Sequence, residues 1–447
     1  MGLSGLEIYK HLPKKNCKEC GFPTCLAFAM QLAAKKVDLS KCPYVTEEAK
    51  EILESASQPP IKLVTIGTGE NKLEVGKETV MFRHEETFYH PTGIGFLIED
   101  SLTLEEIEKR ISEINQLKFT RVGQEISVDL IAIEAKSKNK ENFLKAVNLA
   151  LSKSKLNLAL ISGDPQLLKE ALSLAKERRP LIYPATSDNF KEMAQLSKEY
   201  NLPLGVRGKD LEELAKLTSD ISSLGVSDLV ISLEEEKLLS KLQNLTQTRR
   251  LALRKLYRPL GYPTLSFVSG GNPYQEVIEA GVLICKYSSI VIMKGCEPWQ
   301  ILPLLTLRQN IFTDPQKPLQ VEAKINEVGK VDDKSPVLVT TNFSLTYFTV
   351  ESEVEASKIP SYIITCNAEG LSVLTAWAAE KFTAESIAKT LKDTGIEEKV
   401  SHREVIIPGY VAVLSGKLEE ESGWKVRVGP KEASGIPSYL KNLKSLS

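Results

Sequence analysis

Short apolar runs recur through the middle of the chain: Ile94 to Glu99, Val128 to Glu134, Leu156 to Ile161, Pro180 to Pro184, Leu202 to Val206, Leu229 to Leu233, Leu265 to Ser269 and Ile290 to Met293. Between them lie segments with apolar residues at helical spacing, such as LTLEEIEKRISEINQL, NFLKAVNLALSKS, PQLLKEALSLAKER and DLEELAKLTSDISSL. Buried strands alternating with amphipathic helices imply parallel pairing through crossover helices. Eight strand candidates over about 230 residues predict a closed (β/α)8 TIM barrel, with an open doubly wound sheet as the competing arrangement. The preceding ETVMFRHEETFYH reads as strands of a hairpin or plug leading into the barrel.

The alternation returns near the C-terminus on a smaller scale. Val337 to Thr341, Tyr362 to Cys366, Glu404 to Ile407 and Lys425 to Val428 are strand candidates, each followed by a helical segment. Such βα units predict an open, Rossmann-like parallel α/β sheet with helices on its faces. Ser55 to Lys62, with Pro59 and Pro60, reads as a linker, and the polar NEVGKVDDKS marks a second break. The expected division is an N-terminal module over 1–57, a linker and hairpin over 58–92, the barrel over 93–325 and the small α/β domain over 326–447. The whole is an α/β multidomain protein, as a chain of 447 residues is too long for one ordinary core.

Charge removes several classes of partner. The 57 basic and 58 acidic residues nearly cancel, so there is no electrostatic footprint for nucleic acid and no basic stripe for a membrane surface. The apolar stretch around Ile290 to Met293 is interrupted by Lys286 and Lys294, well short of a bilayer span. The opening MGLSGLEIYKHLPKK lacks an apolar leader core, which predicts a cytoplasmic protein. Cys285, Cys296 and Cys366 follow apolar runs and suit reduced core positions. No GxxxxGK[ST], HExxH or GxSxG occurs, which removes the common NTPase, zinc-protease and α/β-hydrolase readings.

The other four of the seven cysteines lie together at the start, as Cys17, Cys20, Cys25 and Cys42 in KKNCKECGFPTC and the following SKCP. Four thiolates at that spacing can serve one metal centre. One CxxC followed by single cysteines is closer to iron–sulfur ligation than to the paired knuckles of zinc modules, so a [4Fe-4S] cluster is favoured and a closed zinc site is the alternative. Thr24 to Val37 reads as a helix with Cys25 in its first turn, where free N–H groups favour an anionic cluster. Leu26, Phe28, Met30 and Ala33 are its packing candidates, and Phe22, Phe28 and Tyr44 could shield the centre.

In open α/β sheets ligands bind outside the carboxyl ends of the strands. The C-terminal loops there read TNFS, NAEGLS, PGYVA and GPKEASG. Their candidate contacts to a large flat ligand are Asn342 and Ser344; Gly370, Leu371, Ser372, Val373 and Thr375; Gly409, Tyr410, Ala412, Ser415 and Gly416; Gly429, Pro430 and Ala433. Glycine and capping residues also occur in such loops for structural reasons alone. At the barrel's strand ends, Glu99, Asp100, Glu134, Asp164, Asp188, Arg207, Asn272 and Lys294 show no diagnostic spacing, and no catalytic residue is assigned. None of the four histidines lies in an Asp-x-His-x-x-Gly pattern; His402, just before a strand, is the one to follow.

This order of parts, from CKECGFPTC through the barrel to the small α/β domain, resembles the large (gamma) subunit of the corrinoid iron–sulfur protein of the reductive acetyl-CoA (Wood–Ljungdahl) pathway. The resemblance covers the whole chain; the cysteine motif alone also resembles Rnf-type electron-transfer subunits. It implies that Cys17, Cys20, Cys25 and Cys42 ligate a [4Fe-4S] cluster and that the C-terminal loops bind a corrinoid (cobamide), base-off and without a histidine ligand. It implies a heterodimer with a small subunit, and exchange with a methyltetrahydrofolate methyltransferase and with carbon monoxide dehydrogenase/acetyl-CoA synthase. Cobalt would accept a methyl group from the first and deliver it to the second, with the cluster reactivating Co(II) to Co(I). The chain would then be a methyl carrier component of an anaerobic carbon-fixation system rather than a stand-alone enzyme. The alternatives are a pterin-dependent methyltransferase using the barrel, or an iron–sulfur electron-transfer subunit.

Overall fold

The computed structural model describes residues 5–33, 37, 39–46, 49–50, 53, 59–234, 237–314 and 318–446. The chain divides into two compact units, 1–119 with 126–312, and 120–125 with 313–447.

At the N-terminus, helices α1 (Gly5–His11) and α2 (Cys25–Ala33) pack together, burying Ile8, Leu12 and Phe28 with Cys25 and Cys42. Phe28 and Ala29 face the interior, whereas Leu26 and Met30, expected in the core, face outward. A helix repeating every 3.6 residues in so small a module has one covered stripe, and Leu26 and Met30 fall outside it. Positions 34–36 of the expected Thr24–Val37 helix lie outside the described residues.

The barrel contains the predicted parallel strands in sequence order: β3 (Gly93–Glu99), β6 (Leu130–Glu134), β7 (Asn157–Ile161), β8 (Leu181–Ala185), β9 (Leu204–Gly208), β10 (Leu229–Leu233), β11 (Leu265–Phe267) and β12 (Ile290–Met293). Closure is nearly complete: β10 and β11 meet only at an Ile231–Thr264 bridge, with Ile231 N–H donating to Pro263 O at 2.9 Å. Around them run α3 (Leu104–Asn115), α4 (Lys140–Lys153), α5 (Pro165–Ala175), α6 (Phe190–Tyr200), α7 (Leu211–Ser223), α8 (Leu238–Arg254), α9 (Pro273–Cys285) and α10 (Pro298–Phe312). Their starts are chemically specified. Thr103 forms a capping box with Glu106, and Asn139, Asp164, Asp210 and Asn272 each accept from first-turn N–H groups.

The hairpin lies earlier than the sequence reading placed it. Strands β1 (Val64–Ile66) and β2 (Leu73–Val75) pair antiparallel, and Val64, Ile66, Leu73 and Val75 pack against the interior residues Leu130, Leu181, Val230 and Ile290. A Cβ at Gly93 would lie 2.7 Å from Leu73, so glycine there makes room for the hairpin. Residues 78–90 carry no strand; they are held by Glu78, whose carboxylate accepts from the Tyr89 and His90 backbone N–H groups and pairs with buried Arg249 at 3.3 Å. Arg249 is itself sandwiched between the Phe88 and Tyr287 rings. A second hairpin, β4 (Lys118–Arg121) and β5 (Gln124–Ser127), follows α3.

The second unit holds a five-stranded sheet in the order β13-β15-β14-β16-β17: β13 (Ile325–Val328), β14 (Val337–Thr341), β15 (Ser361–Cys366), β16 (Glu404–Ile407) and β17 (Lys425–Val428). Four strands are the predicted parallel ones. β13 is an added antiparallel edge, so the sheet is mixed rather than all parallel. Helices α12 (Val373–Ala378), α13 (Ala384–Thr394) and α14 (Ser415–Ser422) cover one face, α11 (Ser344–Ser357) and α15 (Ile436–Leu446) the other.

At the amino ends of these strands Arg427, then Lys425, hold the Glu404 carboxyl at about 2, against an ordinary 4.5. A depressed folded-state value means that stabilisation is complete above about pH 4.5 and lost as pH falls toward 2. Urea denaturation should therefore separate the parent from Glu404→Gln at pH 6, with the gap narrowing below about pH 4.5 and closing only near pH 2, where the parent side chain becomes neutral as well; a gap independent of pH would refute the linkage.

Candidate functional site

Asn16, Cys17, Cys20 and Gly21 form the loop before α2. Lys14, Asn16 and Lys18 adopt left-handed conformations at φ of 55°, 49° and 68°. Each costs about 1–2 kcal/mol for a residue with a Cβ, a strain kept where a loop is shaped around a group. Gly21, at φ 84°, turns the chain into α2. Asn16 locks Cys25: its Oδ1 accepts the Cys25 N–H at 2.8 Å, and its own N–H donates to Cys25 Sγ at 3.4 Å. Cys42 follows a 3-10 turn, Leu39–Lys41, and faces the same interior. Burial pushes the Cys42 thiol up, the Tyr44 backbone lowers it, and Cys20, Cys25 and Cys17 raise it again, so all four sulfurs share one electrostatic neighbourhood. Among the described residues no three ligating side chains converge tightly enough for a single metal ion. Four soft thiolates close enough to influence one another's charge, with a backbone N–H on one sulfur, are chemically suited to an iron–sulfur cluster. Phe22 and Phe28 stack at 5.7 Å beside them; Tyr44 is engaged by Glu19 at 2.8 Å and by Lys15 over its ring.

In the second unit strand order reverses at β14, with β15 on one side and β16 on the other. A switch point of this kind is where open α/β sheets take up ligands, at the carboxyl ends of the strands. Asn342, at the end of β14, is 3% exposed and organises these loops rather than facing out of them. Its Oδ1 accepts Ala368 N–H at 2.9 Å and Gly370 N–H at 3.1 Å, and its Nδ2 donates to Gln320 at 3.1 Å. Ser344 is also buried, and Gly370, at φ 74°, packs against Pro318 and Gln320. Ser372 and Thr375 share a hydroxyl hydrogen bond of 2.9 Å at the start of α12. Leu371 and Val373 pack on the domain core.

The other two loops are braided. Gly409 N–H donates to Pro430 O at 3.0 Å and Gly429 N–H to Ile407 O at 2.9 Å; a Cβ at Gly409 would lie 2.6 Å from Gly429 O. Tyr410 and Ala412 lie in the 3-10 segment Gly409–Leu414, Ser415 and Gly416 open α14, and Ala433 packs behind. The Tyr410 hydroxyl donates to Glu432, which raises the phenol's pKa. Sequence reasoning, looking for glycine and hydroxyls, missed the apolar rim. Leu345, Leu374, Trp377 and Val413 are all exposed around these loops, Val413 by 72%, and α12 packs beside the Val413 segment. The signal was Leu374 and Trp377 three apart on a short helix with little else to bury.

The chemistry of this edge, with close-packed glycine backbone, small side chains and an uncovered apolar rim, suits the face of a large flat ligand. His402 lies at the opposite, amino end of β16, its Nε2 facing Ser335 O at 3.1 Å and its Nδ1 accepting Glu404 N–H at 3.2 Å. Among the described residues no helix is long and apolar enough to cross a membrane.

Cysteine module, (β/α)8 barrel and open α/β domain define an α/β multidomain protein. A family model for the CO dehydrogenase/acetyl-CoA synthase delta subunit matches residues 63–440, and one for a putative Fe-S cluster matches residues 12–44. The corrinoid/iron-sulfur protein large subunit of Moorella thermoacetica is 48% identical over 446 residues, covering 100% of both chains. The acetyl-CoA decarbonylase/synthase complex subunit gamma is 37% identical in Methanothermobacter thermautotrophicus, with 100% of both chains covered, and 35% identical in Archaeoglobus fulgidus, with 98% of both covered. The chain belongs to this family of corrinoid/iron-sulfur protein large subunits and archaeal gamma subunits.

Proposed function

We propose that the chain is the two-cofactor subunit of a methyl carrier in the acetyl-CoA pathway. The observation that carries this reading is the presence, in one chain, of four gathered cysteines and a separate glycine-braided loop cluster with an uncovered apolar rim. The names of the relatives support it. Cys17, Cys20, Cys25 and Cys42 hold a [4Fe-4S] cluster, and the loops after β14 to β17 hold one face of a corrinoid. When bound, the corrinoid supplies a cobalt that takes and gives a methyl group, and the cluster supplies reducing electrons. Asn342 would hold the loop that a bound corrinoid rests on, the close-packed Gly409 and Gly429 backbones would let it approach, and Asn16 keeps Cys25 oriented. His402 is spent at the opposite edge and would not serve as its ligand, in keeping with a base-off state.

The rim formed by Leu345, Leu374, Trp377 and Val413 is the surface that a small partner subunit covers to complete the site. A methyltetrahydrofolate methyltransferase and carbon monoxide dehydrogenase/acetyl-CoA synthase would dock in turn at the same opening. Co-expressed with its small partner, the chain should accept about one labelled methyl group per corrinoid from methyltetrahydrofolate. Val413→Glu should weaken the subunit pair by more than about tenfold while leaving iron content unchanged. No stable pair, or no label on a corrinoid-loaded pair, would overturn the reading.

A further inference from the structure

The barrel carries an opening of its own. A cavity of about 440 Å³ lies at the carboxyl ends of its strands and extends into the seam between β10 and β11, beneath α8. The seam exists because a single bridge joins those strands. Tyr183 forms the floor: it is buried, its hydroxyl 3.0 Å from Ser232 Oγ, and its ring lies 5.4 Å from that of Phe267. A Cβ at position 205 would come within 2.5 Å of that ring, so Gly205 is what lets it lie flat on the neighbouring strand. Burial raises the phenol's pKa, while Ser232 and then Arg207 pull it back, which places the Arg207 guanidinium beside the hydroxyl.

Several other charges on the barrel are paired: Lys241 with Glu279, Lys294 with Glu99, Arg179 with Asp228 and Arg308 with Asp129. Arg207 and Glu134 both line the cavity, and among the described residues neither has an ion-pair partner. Glu234, at the exposed rim, adds a second carboxylate. Arg207 on β9 and Glu134 on β6 are three strand spacings apart, about 14 Å along the wall. Between these poles the walls are apolar, from Leu97, Ile161 and Phe267.

We propose that this cavity binds a small zwitterionic molecule with an apolar or aromatic body, its carboxylate on Arg207 and its ammonium facing Glu134. A bidentate guanidinium–carboxylate pair gives the anionic end both strength and direction. The opposite carboxylate selects against plain anions, since a ligand without a donor leaves Glu134 desolvated and unpaired. The body stacks on Tyr183.

The test is calorimetric titration of the full chain with 4-(aminomethyl)benzoate, against 4-methylbenzoate and benzylamine, which each lack one pole. The zwitterion should saturate a single site, at least about tenfold tighter than either control. Arg207→Gln should remove its advantage over benzylamine, and Glu134→Gln its advantage over 4-methylbenzoate, with unfolding transitions unchanged. Absence of saturable binding, or parent-like affinity in both variants, would overturn the proposal.

Discussion

Replacing Cys25 with alanine will strip the N-terminal module of iron and acid-labile sulfide by more than about tenfold. Cys25 is the buried hinge of the site: it opens α2, accepts the Asn16 N–H on its sulfur and has its own N–H held by the Asn16 amide. Removing it deletes one thiolate and frees the strained 14–21 loop that the other contacts shape. Because a cluster couples to the fold of a small module, the α1/α2 core around Phe28 should loosen as well, seen as faster proteolysis within residues 5–46. Cys366→Ala is the control. That thiol is fully buried in the second unit, and burial pushes it up to about 12, so it is an inert core group. Full iron content in Cys25→Ala, or zinc in place of iron in anaerobically purified parent protein, would remove the cluster assignment.

The second large effect falls on Asn342. In Asn342→Leu the Ala368 and Gly370 N–H groups lose their acceptor inside the domain, a loss of about 2–4 kcal/mol for two buried donors. That loop runs directly into α12, so its release should cost the protein most of its corrinoid while the sheet still unfolds cooperatively. Asn342→Asp keeps an Oδ1 acceptor for both N–H groups and should retain the cofactor. Corrinoid-to-protein ratios after gel filtration decide the matter: parent-like loading of the leucine variant would show that the loop is not the cradle.

Burial determined which parts of the fold could be read from sequence. The barrel strands and β14, β15 and β16 of the second sheet are largely buried, so each is a dense apolar run, whereas the edge strand β17, KVRV, is exposed and was legible only from the strand–helix alternation around it. β13 has one neighbour and a half-exposed INEV sequence, too polar to separate from the linker around it. The β1/β2 hairpin did leave a period-two signal in VTI and LEV. It is overshadowed by the aromatic density of residues 78–90, where Phe88 packs on the Arg249 cation and Phe82 on His84 instead of lining a strand face.

The candidate sites divide in the same way. Cysteine spacing is a local property of the chain, so Cys17, Cys20, Cys25 and Cys42 could be grouped before any fold was known. The second candidate site is assembled from loops scattered over almost a hundred residues. Strand-end logic pointed to loops that the fold does gather at one end of the sheet, but could not tell Asn342 and Ser344, which face inward, from the outward rim of Leu345, Leu374, Trp377 and Val413.

The central claim, one chain carrying two distinct cofactors, is tested most directly by anaerobic EPR of the purified chain with its small partner, before and after low-potential reduction. The account predicts a base-off Co(II) signal without nitrogen superhyperfine splitting, together with a reducible [4Fe-4S] signal. A cobalt signal split by an axial nitrogen would contradict the base-off site, and a cluster signal alone in fully loaded protein would contradict the carrier.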